Sequence, residues 1–171
     1  MNIILVWMPW SWKTTIGKKL AKVTWMNFLD FDDDIIEKQM WKSVAEVLSE
    51  LWEENFLDLE EKLALDIKHL ENTILSTSGS VPLRPKAMNH LRTIWKSIYI
   101  DIPVENIKKR LERMKVDRIV GMENMTMDEI LEYRDWFYKK SFDYSFQNDG
   151  LGSKEETFEV FLNFYNSLNL Q

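Results

Sequence analysis

The sequence predicts an α/β fold, a parallel sheet of about five strands with helices on both faces. Three observations predict it. Short apolar runs alternate with helical segments, the order a parallel sheet with crossover helices requires. The first run leads into a turn ending Lys13-Thr14-Thr15 and then a helix. The chain holds 8 tryptophans and 5 glycines, where average usage gives roughly twelve glycines, and most of the tryptophans stand where strands or helices end.

The elements follow in order. Asn2 to Val6 (NIILV) is a short apolar strand. A helix covers roughly Lys13 to Thr24, with Ile16, Leu20 and Val23 on one face. Phe28 to Phe31 is a second strand, running into Asp30, Asp32, Asp33 and Asp34. Helical segments then span about Asp34 to Met40, Val44 to Leu51 and Glu54 to Leu70. Asn72 to Thr77 is a strand, closed by the turn Ser78-Gly79-Ser80. A helix near Lys86 to Ile94 precedes the strand Ser97 to Ile102. Pro103 opens a helix with Ile107 inward. Residues 113–125 are polar and irregular and read as a lid. Met127 to Phe142 is helical, and Tyr144 to Phe146 is a last strand. Ser153 and Glu156 have capping-box spacing and start the C-terminal helix. With no repeat and no linker, residues 1–171 form one expected domain.

The balance of 45% hydrophobic and 29% charged residues is that of an ordinary globular chain. A net charge of −6 disfavours nucleic acid and anionic membrane as partners. Without cysteine there is neither a disulfide framework nor a thiolate metal site. His69 and His90 lack metal-ligand spacing. No apolar run is long enough to span a bilayer, and no signal-peptide pattern opens the chain. A cytoplasmic monomer is the expectation.

Seven tryptophans stand at positions that suit glycine. Trp25, Trp41, Trp52 and Trp95 follow helix ends, where a left-handed backbone is common. Trp7, Trp10 and Trp12 occupy the first strand-to-helix turn, and Trp136, inside a helix, is the exception. Writing glycine at 7, 10 and 12 turns WMPWSWKT into GMPGSGKT. That satisfies the phosphate-binding P-loop G-x-x-x-x-G-K-[ST] in its required strand-to-helix context. In such a loop the backbone N–H groups of residues 10 to 15 (Trp10, Ser11, Trp12, Lys13, Thr14, Thr15) converge on nucleotide phosphates. Lys13 neutralises the β/γ-phosphates and the Thr14 hydroxyl ligates Mg²⁺. The expected fold is thus that of the P-loop NTPases with a lid, and the expected cofactors are ATP and Mg²⁺. As written, three indoles crowd the turn, so the literal loop is expected to bind ATP poorly. One hypothesis explains the pattern. In one variant genetic code UGA means glycine, and reading it as tryptophan puts an indole at every such codon. Seven UGG codons in the gene would exclude it.

With those glycines the chain resembles the shikimate kinase family over essentially its full length. FLDFDDD resembles that family's Asp-x-Asp motif. The resemblance implies that Asp30 supports the Mg²⁺ shell and that Asp32 contacts substrate hydroxyls and serves as general base. Counting back from position 41 selects Asp33 instead. LSTSGSV matches the segment where the family carries three glycines around the substrate, and only Gly79 is kept. The resemblance implies that Arg118 reaches the transferred phosphate from the lid and that Arg134 binds the acceptor's carboxylate. The family's other carboxylate arginine is replaced by Leu57, and Ile119 stands where a proline usually follows the lid arginine. RLERMKVDRIVG, EENFLDLEE and YRDWFYKK look most like a divergent branch that includes the kinase-like domain of threonine synthase-like proteins. The implied activity is ATP-dependent phosphorylation of a small acidic polyol, shikimate (at its 3-hydroxyl) or similar. Two other readings stand beside it: a nucleotide-binding or regulatory module without phosphoryl transfer, and an aromatic-rich interaction protein with an impaired P-loop.

Overall fold

Ile3, Ile4, Leu5 and Val6 are all fully buried. Burial on both faces of one strand is what a central position in a covered parallel sheet demands. The computed structural model, which describes residues 1–7, 12–111, 125–149 and 151–170, puts that strand in the middle. The strands are β1 (Asn2–Trp7), β2 (Asn27–Asp30), β3 (Thr73–Ser76), β4 (Lys96–Asp101) and β5 (Tyr144–Gln147). They form one sheet in the order β2-β3-β1-β4-β5, and every pairing is parallel. The helices are α1 (Lys13–Thr24), α2 (Lys38–Met40), α3 (Val44–Asp66), α4 (Pro85–Ile94), α5 (Val104–Leu111), α6 (Met127–Tyr138) and α7 (Lys154–Ser167). A π-helical segment covers Phe31–Glu37 and a 3₁₀ turn covers Val81–Leu83.

Chain order reverses around β1. The first crossover leads outward to β2, while β3 and β4 flank β1 on opposite sides. Open parallel sheets bind ligands outside the carboxyl ends of their strands at such a reversal. Helix starts are well specified. Ser43 with Glu46, Thr126 with Glu129 and Ser153 with Glu156 each form a full capping box. Gly17 lets α1 lie close on β2, since a Cβ there would come within 2.5 Å of the Phe28 ring.

The tryptophans divide into two groups. Trp12, Trp25 and Trp41 are left-handed (φ 66°, 57° and 56°), and Trp52 has φ 61° with ψ 167°, a region that glycine alone occupies freely. Trp52 marks the break between the two helical segments expected there, which run on as α3 across a kink. Two expectations need correction. Trp7 is the last residue of β1, fully buried, and not part of the turn. Trp95 is extended (φ −138°), because the chain passes straight from α4 into β4. Both bury an indole Nε1 with no acceptor among the described residues. Trp10 lies outside the described residues. Some expected element ends also move. The segment after β2 starts at Phe31, α3 stops at Asp66 short of Leu70, and α6 stops at Tyr138 short of Phe142. Among the described residues no helix is long and apolar enough to cross a membrane.

Candidate active site

The candidate site side chains gather at the carboxyl ends of β1, β2 and β3. Leu5 pairs with Ser76 and Asp30 pairs with Ser76 across the next ladder, so these three strand ends lie side by side. Lys13 opens α1 directly after the β1 turn. Its Nζ donates to the Thr77 carbonyl, on the segment that follows β3. Thr14 Oγ1 donates to Asp30 Oδ2 at 2.9 Å. Thr15 sits in the same first helical turn, half-buried.

The N-terminus of α1 differs from those of α3, α6 and α7. It has no side-chain cap and no acidic residue in its first turn. Orphan N–H groups at such an end, with the helix dipole behind them, favour an anion. Trp12, at the N-cap in a left-handed conformation, puts a Cβ and an indole where a phosphate loop brings bare backbone to its ligand.

The acidic cluster resolves into four different environments. Asp30, buried, caps the π-helical segment by accepting from the Asp32 N–H at 3.1 Å. Asp34 accepts from the Asp30 N–H at 2.9 Å and from Lys38 at 2.7 Å. Asp32 has a buried Oδ1 without a partner among the described residues. Burial pushes its carboxyl above the usual carboxylate range; Lys13 pulls the other way, and Asp30 adds to the rise. Burial also pushes the Asp33 carboxyl up, with Asp30 and Glu37 adding to the rise and Lys18 pulling the other way. Lys13 thus acts on Asp32, and Lys18 on Asp33.

The turn after β3 organises the other side. The Gly79 carbonyl accepts from Arg134 Nη1 at 3.4 Å and from the Tyr138 hydroxyl. Both donors come from α6, one turn apart, and both are buried. Burial holds the Tyr138 hydroxyl up at about 12. Glu60 of α3 is fully buried, accepts from Ser78 Oγ, and lies near Asp32 and Arg134. Burial lifts its carboxyl to about 7 against the bonds from Ser78 and Ser80. Glu60 lies in the helical segment expected over Glu54 to Leu70 and is not among the site residues expected from the sequence. The available signal was an acid at an inward position, three residues after Leu57. Leu57 is itself buried.

Lys13, Thr14, Thr15, Asp30, Asp32, Gly79 and Arg134 therefore share one edge of the sheet. Ser11, Arg118 and the lid, apart from Met125 at its end, lie outside the described residues, as does Trp10. Among the described residues no group of three or more His, Cys, Asp or Glu could hold a metal by itself. A hydroxyl and a carboxylate side by side, Thr14 and Asp30, are nonetheless hard oxygen donors of the kind Mg²⁺ takes, with substrate phosphates and water completing its shell.

A five-stranded parallel sheet whose first strand leads through a Lys13-Thr14-Thr15 turn into a helix defines an α/β protein with the P-loop fold. Comparison with known proteins narrows this. The family model described as shikimate kinase matches residues 11–166. The chain belongs to the shikimate kinase family. It is 36% identical over 163 residues to human threonine synthase-like 1, covering 95% of this chain and 22% of that protein. It is 30% identical over 143 residues to shikimate kinase of Clostridium botulinum (strain Loch Maree), covering 82% of this chain and 84% of that one. The crystal structure of shikimate kinase from Bacteroides thetaiotaomicron superposes with a TM-score of 0.82 at 25% identity, covering 99% of both chains. The chain thus spans about a fifth of the length of the threonine synthase-like relatives and most of the length of the bacterial kinases.

Proposed function

We propose that this chain transfers the γ-phosphoryl group of ATP to a hydroxyl of a small acidic polyol, with shikimate the first acceptor to test. The contact between Lys13 and the Thr77 carbonyl carries this reading. It brings the phosphate-binding lysine against the turn that holds Gly79, so donor and acceptor sides meet within one side chain's reach.

The uncapped start of α1 and Lys13 would bind the nucleotide phosphates. Thr14 and Asp30 would hold Mg²⁺, and their contact keeps both oxygens together. When bound, the cation neutralises charge on the phosphate oxygens. Asp32 Oδ1, buried and unpartnered, is placed to accept the proton of the attacking hydroxyl. A raised affinity for protons at that carboxyl suits a base. Arg134, fixed against Gly79, would orient the acceptor's acid group by charge-assisted hydrogen bonds. Arg118 would reach the transferred group when the lid closes and excludes water.

A coupled ATP-consumption assay with and without shikimate tests this, run on the chain with glycine at 7, 10 and 12. Shikimate-dependent turnover is expected, and Lys13→Ala should lower kcat/KM at least ~100-fold. Turnover that survives Lys13→Ala would refute the reading. Leu57, buried near the acceptor side, favours a second reading, a nucleotide-binding module without phosphoryl transfer or a kinase for another small acceptor. Tight ATP binding with no shikimate-dependent turnover would select it.

A further inference from the structure

Tyr138 has no part in the mechanism above, yet its hydroxyl meets the turn on the acceptor side. It follows Arg134 by one helical turn on α6, so the two share a face. Both are buried. Arg134 Nη1 donates to the Gly79 carbonyl at 3.4 Å, and the Tyr138 hydroxyl donates to the same carbonyl. Arg134 also makes a side-chain hydrogen bond with Tyr138. A guanidinium has donors and no acceptor, so in that bond the phenol oxygen accepts. The single hydroxyl proton is then committed to Gly79. Guanidinium, phenol and carbonyl close a triangle.

The triangle is held from outside. The Tyr138 ring stacks on Tyr99 of β4, with 5.8 Å between centroids and 20° between planes. Tyr99 in turn pairs with Val6 of the central strand. The peptide that carries the Gly79 carbonyl has its N–H on Ser80, and planarity points the two groups in opposite directions. That N–H donates to Ser78 Oγ at 3.4 Å. The Gly79–Ser80 peptide is thus tied at both ends. The direct bond from Arg134 to Gly79 is long for an N–H···O contact, so it does little by itself to orient the guanidinium. Leu57, buried, stands where the family's other carboxylate arginine would be. The hold on an acid group then depends on how Arg134 is aimed. A side chain with many rotamers keeps its aim when a neighbour fixes it.

We propose that Tyr138 is a positioning residue for acceptor binding, whose hydroxyl locks the Arg134 guanidinium against the Gly79 turn and so aims it at the acceptor's acid group. This rests on the kinase reading, which makes Arg134 the acid-group ligand. Tyr138 acts through Arg134 and touches no reacting atom. The ligand feature it serves is a planar carboxylate, whose two oxygens match the fork of a guanidinium. A guanidinium oriented in advance loses less freedom on binding.

Calorimetric titration of the full chain, with glycine at 7, 10 and 12, tests this. The ligands are shikimate and its carboxamide, which keeps the hydroxyls and loses the charge. The parent should bind shikimate about 10- to 100-fold more tightly than the carboxamide, the worth of a charge-assisted pair. Tyr138→Phe keeps the ring on Tyr99 and removes the hydroxyl. It should lower that ratio about 3- to 10-fold by weakening shikimate, with the carboxamide little changed. Tyr99→Phe removes a buried hydroxyl from the same stack and should keep the parent's ratio. Arg134→Gln should erase the ratio, and adding Tyr138→Phe to it should change neither ligand further. A merely structural role has no such dependence on ligand charge. Equal weakening of both ligands by Tyr138→Phe, or an unchanged ratio, would overturn the proposal, and that comparison stands whether or not the Arg134 variants fold. ATP is titrated in parallel. A parent that binds ATP yet prefers neither ligand would instead sink Arg134 as the acid-group ligand, and with it the reading of the acceptor on which this proposal rests.

Discussion

Replacing Trp25, Trp41 and Trp52 together by glycine should stabilise the chain. All three have positive φ, and their side chains are 89%, 91% and 66% exposed, so little packing is lost with the indoles. A left-handed backbone costs an ordinary L-residue roughly 1–2 kcal/mol at each of Trp25 and Trp41. The Trp52 conformation, with ψ 167°, costs roughly 1–3 kcal/mol. Glycine returns about 0.4–1 kcal/mol per site by loosening the unfolded chain. The sites lie on separate helix ends, so the effects add. The net gain is roughly 2–4 kcal/mol, which corresponds to about 5–15 °C in Tm at this chain length. Calorimetry or circular dichroism melts would read it. The triple alanine variant is the decisive control, because alanine removes the indole but keeps the Cβ that makes positive φ costly. It should recover little. Trp136→Gly, inside α6, should lower stability by about 1 kcal/mol. If the glycine triple is no more stable than the alanine triple, backbone strain is not what distinguishes these positions.

Two further outcomes follow from the carboxyls. Glu60 holds its proton in the fold up to about 7 but releases it near 4.5 when exposed. Between those values the folded state binds more protons, so stability falls as pH rises, by about 3 kcal/mol across the window. Denaturant titrations from pH 4 to 8 should find that slope in the parent and a much flatter profile in Glu60→Gln. Asp32→Asn should lower kcat on the order of 10²- to 10⁴-fold, while Asp33→Asn should leave it within a few-fold. The reverse result in steady-state assays would move the base to Asp33.

How much of this was legible in advance depends on the kind of signal. Element type came through because strands and helices imprint local periods, and capping boxes at Ser153 and its like mark starts within four residues. Boundaries were less legible. Phe31 looks like strand, but Asp30 caps the next segment with its own side chain and ends β2 there. Trp7 looked like part of the turn because the motif counts it so, whereas the β4 ladder extends far enough to pair it with Ile100. Trp95 looked left-handed because it follows a helix, yet a direct entry into β4 needs extended backbone.

The sequence by itself determined the sheet class and the family, since strand and helix periods and motifs rest on residues close together in the chain. It also exposed the tryptophan pattern, because glycine sites are set by local backbone geometry. Four of the six described sites carry the positive φ that this reading requires. Only the tertiary structure shows that Lys13 acts on Asp32 and Lys18 on Asp33, because those neighbours meet across the fold. Only it brought Glu60 to Ser78, eighteen residues away, and Arg134 to Gly79, fifty-five residues away. Burial and charge at a site are sums over elements that meet in space, and no local pattern in the chain records which elements those are.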